Sequence, residues 1–394
     1  MDEKPVRPCF YVCCLGSRWA RHFRAIQVEQ SGQKFSTGMK QIAMLINHER
    51  LREFVKKIFE QAGASEDRAW QVAEHLVEAN LKGHDSHGVG MIPNYVNGIQ
   101  RGHLRVNEDA ELVVDKGAVL LVDGHFGFGQ VVAKQATQMG IERAKQIGMA
   151  CVGSKNNYHI GRVGTYGEQC AREGLVSIHF VNVVGHPPFV SPWGGRDKRM
   201  QTNPFCCAIP TSGDPIILDM ATSAIALGKA RVARMKGVSL PEGSVYDAAG
   251  QPSTDPNVLE QGGSLAPFGE HKGYGLALVC ELLGGGLAGE WTMQNVDKQT
   301  DMIVNHMLEF IIDPNLFGGL EAFQEEVEGM SGWLRSSEPA VGNDKVRLPG
   351  EPERESMSER SANGIPLDDR SWDSIVKAAE VAGVSSETVE SLTT

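Results

Sequence analysis

The sequence predicts an α/β fold that is not of the Rossmann kind, and three observations carry that prediction. Strand and helix patterns alternate from residue 111 onward, as in a layered α/β protein. Amphipathic helical stretches flank this region on both sides. The glycine loop of a doubly wound nucleotide-binding fold is missing from its expected strand-to-helix turns.

The elements follow in chain order. Leu51, Phe54, Val55, Ile58 and Phe59 recur at helical spacing. Ser65 reads as an N-cap, with Glu66 and Asp67 in the first turn, for a helix carrying Val72, Leu76, Val77 and Leu81 that ends near Gly83. ELVV and AVLLVDG read as strands around a Lys–Gly turn, followed by a helix over 131–148 and a strand at MACVGS. LVSIHFVNVV (175–184), FCCAIP and PIILDM continue the strands, and Thr222 or Ser223 fits a cap before AIALGKARVA. Residues 273–289 are apolar almost all round, which predicts a buried helix. LEFIIDP is a late strand, and 334–363, rich in Pro, Gly and charge, is expected to wrap the surface. Pro366 is expected to open a last amphipathic helix through Trp372, Ile375, Val376 and Ala379.

Composition narrows the function classes. With 394 residues, 41% hydrophobic and 22% charged, the chain has the make-up of a globular protein with a real core. No run of about 18 uninterrupted apolar residues predicts a membrane helix. A net charge of -11, with no basic face, argues against a nucleic-acid binder, although local positive sites can still take small anions. The eight cysteines form no C-x-x-C pair and suit reduced thiols in a cytoplasmic protein. The first 38 residues read as a disordered or leader-like tail, with folded patterning from about Met39.

Five strings could carry chemistry. GHFGFG (124–129) has its glycines in the reverse order of a dinucleotide loop and reads as an ordinary turn. Gly83-His-Asp-Ser-His-Gly offers imidazoles for proton transfer near neutral pH, with Asp85 and Ser86 placed to orient or relay. The bland alternative is a polar turn. A metal reading of His84, Asp85 and His87 is weakened by three ligands in four residues, which rarely converge on one ion. Asn156-Asn-Tyr-His-Ile-Gly-Arg follows a strand and offers His159 as acid or base and Arg162 as a carboxylate clamp. The strings around Thr202-Asn-Pro and Asp219-Met-Ala-Thr offer small polar groups after strands. Glu270-His-Lys-Gly-Tyr-Gly places Lys272 at a helix start, a position suited to an anion.

Taken together and in this order, D-S-H-G, N-x-x-H-x-G-R-x-G, T-N-P, D-M-A-T-S, H-K-G-Y-G and L-P-G-E resemble the malate/L-lactate dehydrogenase-like family, from about Met39 to the C-terminal helix. That family also includes ureidoglycolate, sulfolactate and diketogulonate oxidoreductases. The resemblance implies a family-specific α/β fold with a mixed sheet and flanking helices. It implies a single catalytic unit over 39–394, in which helical parts 39–110 and 330–394 pack with an NAD(P)-binding core 111–329. It implies a homodimer that transfers hydride between NAD or NADP and a small 2-oxo or 2-hydroxy acid of malate, lactate or aryl-lactate type. The cofactor positions carried over are Gly161, Arg162, Val163, Asp219, Met220, Ala221, Thr222, Lys272, Gly350 and Glu351. His87 and His159 are the proton-transfer candidates, with Ser86 and Asp85 beside them, and Arg162 and Tyr95 are candidates for the substrate. Many members carry an arginine four residues after the S-H-G histidine, where this chain has Met91. Met91 and Ile92 would favour a larger apolar substrate side chain. The rival readings are a metal-dependent hydrolase or lyase built on His84, Asp85 and His87, and a non-catalytic NAD(P)-binding paralogue.

Overall fold

Met44–Ile46 forms a short strand, β1, and Asn47 then starts α1 (His48–Gln61), accepting the Glu49 and Arg50 backbone N–H groups on its side chain. Leu51, Phe54, Val55, Ile58 and Phe59 point inward from α1. α2 (Glu66–Leu81) packs its Val72, Leu76 and Val77 side against α1. Two short turns lead into α3 (Ile92–Gln100). The computed structural model describes residues 44–295 and 301–393, so the expected tail over 1–38 lies outside the described residues.

The sheet strands follow: β2 (Glu111–Lys116), β3 (Val119–Asp123), β4 (Met149–Tyr158), β5 (Val176–Val184), β6 (Phe205–Ile209) and β7 (Ile216–Met220). α4 (Gly129–Ile147) joins β3 to β4 and α5 (Gly164–Arg172) joins β4 to β5. After β7 come α6 (Leu227–Lys236) and a small antiparallel ribbon of β8 (Val245–Tyr246), β9 (Pro252–Ser253) and β10 (Ser264–Leu265). α7 (His271–Cys280) continues as π-helical turns over Glu281–Gly289, and β11 (Val304–Ile312) returns to the sheet. α8 (Leu320–Arg335), α9 (Glu351–Asn363), β12 (Ile365–Leu367), α10 (Asp369–Ala382) and α11 (Ser386–Thr393) complete the described chain.

The main sheet has the order β2-β3-β4-β11-β5-β6-β7. Only β3 and β4 run parallel, which α4 makes possible as their crossover; the other neighbours are antiparallel. This mixed sheet agrees with the predicted fold class and with the missing dinucleotide loop. The helices of both chain ends share one apolar core, from Leu51 and Phe54 to Ile375 and Ala379, and Phe128 and Tyr158 of the sheet region reach into it.

Four local expectations fail for physical reasons. Thr222 and Ser223 do not cap α6, because their hydroxyls bond the Thr202 and Ile225 carbonyls, and the helix starts only after Ala226. The 273–289 segment is helical but not buried: it lies on one sheet face and turns Leu282 (53% exposed) and Leu287 (67%) outward. Residues 351–363 are a helix rather than surface wrapping, held on α2 by the Ser356 hydroxyl donating to the Leu81 carbonyl at 2.9 Å. Pro366 sits in β12, opposite Leu45 of β1, where an edge strand tolerates a missing N–H; α10 begins behind the Asp368 cap.

Candidate active site

The site begins where β4 ends. α4 starts directly over that exit, and a Cβ on Gly129 would stand 2.1 Å from the Tyr158 carbonyl oxygen and 2.4 Å from the His159 backbone. Only glycine allows this approach. It brings the first turn of α4, with Gln130, against the segment that presents His159.

Three further side chains meet there. Tyr95 on α3 is fully buried, with its hydroxyl 2.6 Å from His159 Nδ1. Gln130 Nε2 donates to that hydroxyl at 2.5 Å. His87, in the turn between α2 and α3, stacks on His159 with rings 15° from parallel and centroids 5.4 Å apart. Its Nδ1 lies 3.3 Å from His159 Nε2. His159 therefore uses both ring nitrogens within the protein, whereas His87, which is partly exposed, keeps Nε2 clear of these contacts.

Burial sets the electrostatics. It holds His87 down to about 4, with Asp219 pulling upward and His84 and Arg162 pushing down. Burial also holds His159 well below the usual histidine range, helped by His87, His75 and His186. Tyr95 is raised by burial, although the Gln130 bond works against it. Both shifts favour the neutral imidazoles.

Beside the pair lies a buried charge cluster. Arg162 is 2% exposed and donates from Nη1 to Glu168 at 2.8 Å, with Asp219 3.6 Å from its Nε. Its Nη2 has no hydrogen-bond partner among the described residues. Lys82 donates to the other Glu168 oxygen at 2.6 Å. Burial works to raise the Glu168 carboxyl, but Arg162 and Lys82 together pull it below the usual range. His75 Nε2 accepts the Arg162 backbone N–H at 3.0 Å, and burial depresses this histidine to about 3.

All but one of the segments proposed for the cofactor meet at the end of β7. Asp219 accepts the Gly164 N–H at 2.8 Å, which joins β7 to the start of α5 and to Gly161, Arg162 and Val163. Phe268 N–H bonds the Thr222 carbonyl at 3.0 Å, which brings the start of α7 with its exposed Lys272 to Ala221 and Thr222. The Ile217 N–H bonds the Pro349 carbonyl at 3.1 Å, which seats the Gly350–Glu351 turn near the start of β7 rather than at its Asp219–Met220 end. An exposed lysine at a helix start beside the Ala221–Thr222 segment suits a phosphate-bearing group. A cleft of about 460 Å³ adjoins the Leu348–Glu351 turn and lies away from the histidine pair.

Several predicted residues sit elsewhere than expected. The Asp85 carboxylate is held by Arg360 at 2.6 Å and Asn80 at 2.7 Å, so it braces α9 against α2 rather than relaying to His87. Ser86 lies against the start of α6, where a Cβ on Gly228 would be 3.1 Å from its Cβ. Tyr95 stands behind His159, too deeply buried to line an open substrate pocket. Arg162 is committed to Glu168 and Asp219, not free as a clamp. Ile92 is fully buried in the helical core, while Met91 remains partly exposed. His84 pairs with Glu353 at 3.3 Å, so His84, Asp85 and His87 turn to three different partners and do not form one metal site. Gln130, His75, Glu168 and Lys82 were not anticipated; each is an isolated polar residue within an ordinary helix pattern.

With this geometry in view, the chain matches the family model described as malate/L-lactate dehydrogenase over residues 46–376. It is 48% identical over 345 residues to hydroxycarboxylate dehydrogenase B of Escherichia coli O157:H7, covering 86% of this chain and 95% of that protein. It is 38% identical over 346 residues to an L-lactate dehydrogenase of Cupriavidus necator, covering 87% and 99%. The solved sulfolactate dehydrogenase of Methanocaldococcus jannaschii superimposes with a TM-score of 0.79 at 31% identity, covering 87% of this chain and 99% of that one.

Proposed function

The chain belongs to the malate/L-lactate dehydrogenase family, and on that footing we propose that His87 is the proton-transfer residue of a nicotinamide-dependent 2-hydroxycarboxylate dehydrogenase. The observation that carries this assignment is the unequal use of the two imidazoles. His159 has Nδ1 on Tyr95 and Nε2 on His87, so only His87 Nε2 is left to meet a substrate oxygen.

The bound nicotinamide supplies or accepts the hydride at C2 of the acid. His87 Nε2 takes the hydroxyl proton as the 2-hydroxy acid is oxidised, and the protonated ring returns it when the 2-oxo acid is reduced. His159 holds the His87 ring by stacking and by the contact of its Nε2 with His87 Nδ1. Gly161 to Val163, Asp219 to Thr222, Lys272, Gly350 and Glu351 are the residues proposed to hold NAD or NADP. We read 39–394 as one catalytic unit, supported by the core shared between the helices of both chain ends.

Met91, partly exposed, lies four residues after His87 in the sequence, where many family members carry an arginine. A thioether there favours 2-oxo acids with apolar side chains over oxaloacetate. A homodimer is supported by the apolar outer face of α7 and its continuation, where Leu278, Val279, Leu282 and Leu287 lie exposed in a single chain. The five described cysteines are free, as suits the reducing cytoplasm.

The test is oxidation of NADH and of NADPH with pyruvate, oxaloacetate and phenylpyruvate. Turnover on phenylpyruvate exceeding that on oxaloacetate supports both reaction and pocket. Cofactor binding without turnover on any acid would instead mark a binding paralogue.

A further inference from the structure

The Tyr95 hydroxyl makes a second bond that holding His159 does not require, to Gln130 Nε2 at 2.5 Å. Gln130 is 2% exposed, and its Oε1 has no hydrogen-bond partner among the described residues. The Gln130 amide, Tyr95 hydroxyl, His159 ring and His87 ring therefore form one hydrogen-bonded file. A neutral imidazole carries one N–H, and a hydroxyl carries one proton but accepts twice, so the Gln130 amide biases the bonds beyond it. With the amide nitrogen toward Tyr95, the hydroxyl proton is left for His159 Nδ1 or, at 3.4 Å, the His159 carbonyl, and when it goes to Nδ1 the His87 proton lies on Nε2. With the amide oxygen toward Tyr95, every bond reverses: His87 Nδ1 carries the proton and Nε2 is bare.

We propose that Gln130 is a positioning residue whose amide orientation decides whether neutral His87 can act as the base. The proposal rests on the role assigned to His87 above. Only the bare Nε2 can take the hydroxyl proton as hydride leaves C2 for the oxidised nicotinamide. His87 then becomes an imidazolium and passes that proton to water. Reduction runs the same steps backward, the imidazolium giving Nε2–H to the carbonyl oxygen and again leaving Nδ1–H on His159. The amide oxygen on Tyr95 secures that state in both directions, because it claims the hydroxyl proton, and a side-chain amide offers either edge without a change of charge. The charged and titratable groups that act on the pair are Asp219 from β7, Arg162 ahead of α5, His75 from α2, His84 and His186. None of these touches Gln130 in the contacts described above, so a change there reaches His87 through the file.

The experiment compares wild type, Gln130→Glu and Gln130→Leu in the full-length enzyme. NMR of the imidazole nitrogens reads the tautomers, and pH profiles of hydroxy-acid oxidation read the base. A carboxylate at 130 only accepts, so Gln130→Glu should hold His87 in its Nδ1–H form and move the acid limb of kcat/KM upward by about one unit. Gln130→Leu should lower kcat by roughly tenfold with KM little changed, the size of one lost orienting bond. Identical His87 signals in all three proteins, with pH profiles differing only by a scale factor, would overturn the proposal. If wild type oxidises no 2-hydroxy acid, the functional reading fails instead, and the tautomer comparison still decides the role of Gln130.

Discussion

The rings of His87 and His159 lie nearly parallel, 15° apart, with Nδ1 of the first 3.3 Å from Nε2 of the second. Two histidines that are indistinguishable as residue types are thereby given different roles. One is locked between a tyrosine and its neighbour; the other has a nitrogen to spare.

Removing each ring should therefore have unequal effects. His87→Ala should lower kcat by about 10²–10⁴-fold while leaving NAD(P)H binding intact, because the lost group acts only on the reacting oxygen. His159→Gln should lose less, since an amide can still hold His87. Steady-state kinetics with fluorescence titration of the reduced cofactor checks both; equal losses would contradict the division of roles.

Stability should fall on mild acidification. Burial holds His75 near 3, His87 near 4 and His159 well below its usual value, against about 6.5 in the unfolded chain. Below about 6.5 the unfolded chain binds protons that the folded one refuses, so stability is present above that pH and lost as pH falls toward the folded values. The carboxylates join in only at lower pH. Thermal midpoints at about pH 7.5 and 5.5 should differ, and His75→Gln should flatten the slope; a flat wild-type profile would contradict the burial account.

Glu168 is shared by two buried cations, but Arg162 keeps Asp219 and Lys82 keeps Glu78, so Glu168→Gln should cost about 1–3 kcal/mol. Urea unfolding should show a clear drop in midpoint.

Gly129→Ala should displace α4 from the Tyr158–His159 segment and reduce kcat, because the new methyl overlaps backbone that cannot move aside. Gly318→Ala, with nothing within 4 Å of its Cβ, is the control and should stay within about 0.5 kcal/mol of wild type.

Much of the fold could be read from periodicity, because long elements repeat their apolar spacing: Leu51 to Phe59 on α1 and the strands at 175–184 and 216–220 are where the pattern puts them. What escaped were elements whose character is decided by neighbours. Pro366 reads as a helix opener until β1 pairs with it, and the apolar 273–289 helix reads as buried until one face proves to pack on the sheet while the other stays uncovered among the described residues. The same holds for the site. His87 and His159 stand out by residue type and by their glycine-rich surroundings. Asp85 stood out equally, yet Arg360, far along the chain, claims it. Gln130 had no signal at all, since one glutamine in a helix is unremarkable until Tyr95 is folded against it.

The most direct test is NADH- and NADPH-dependent reduction of the 2-oxo acid panel by wild type and His87→Ala, followed by the absorbance of the reduced cofactor. The account predicts turnover of at least one acid by wild type and its collapse in the variant. Turnover that survives in His87→Ala would contradict the assignment of the proton to His87.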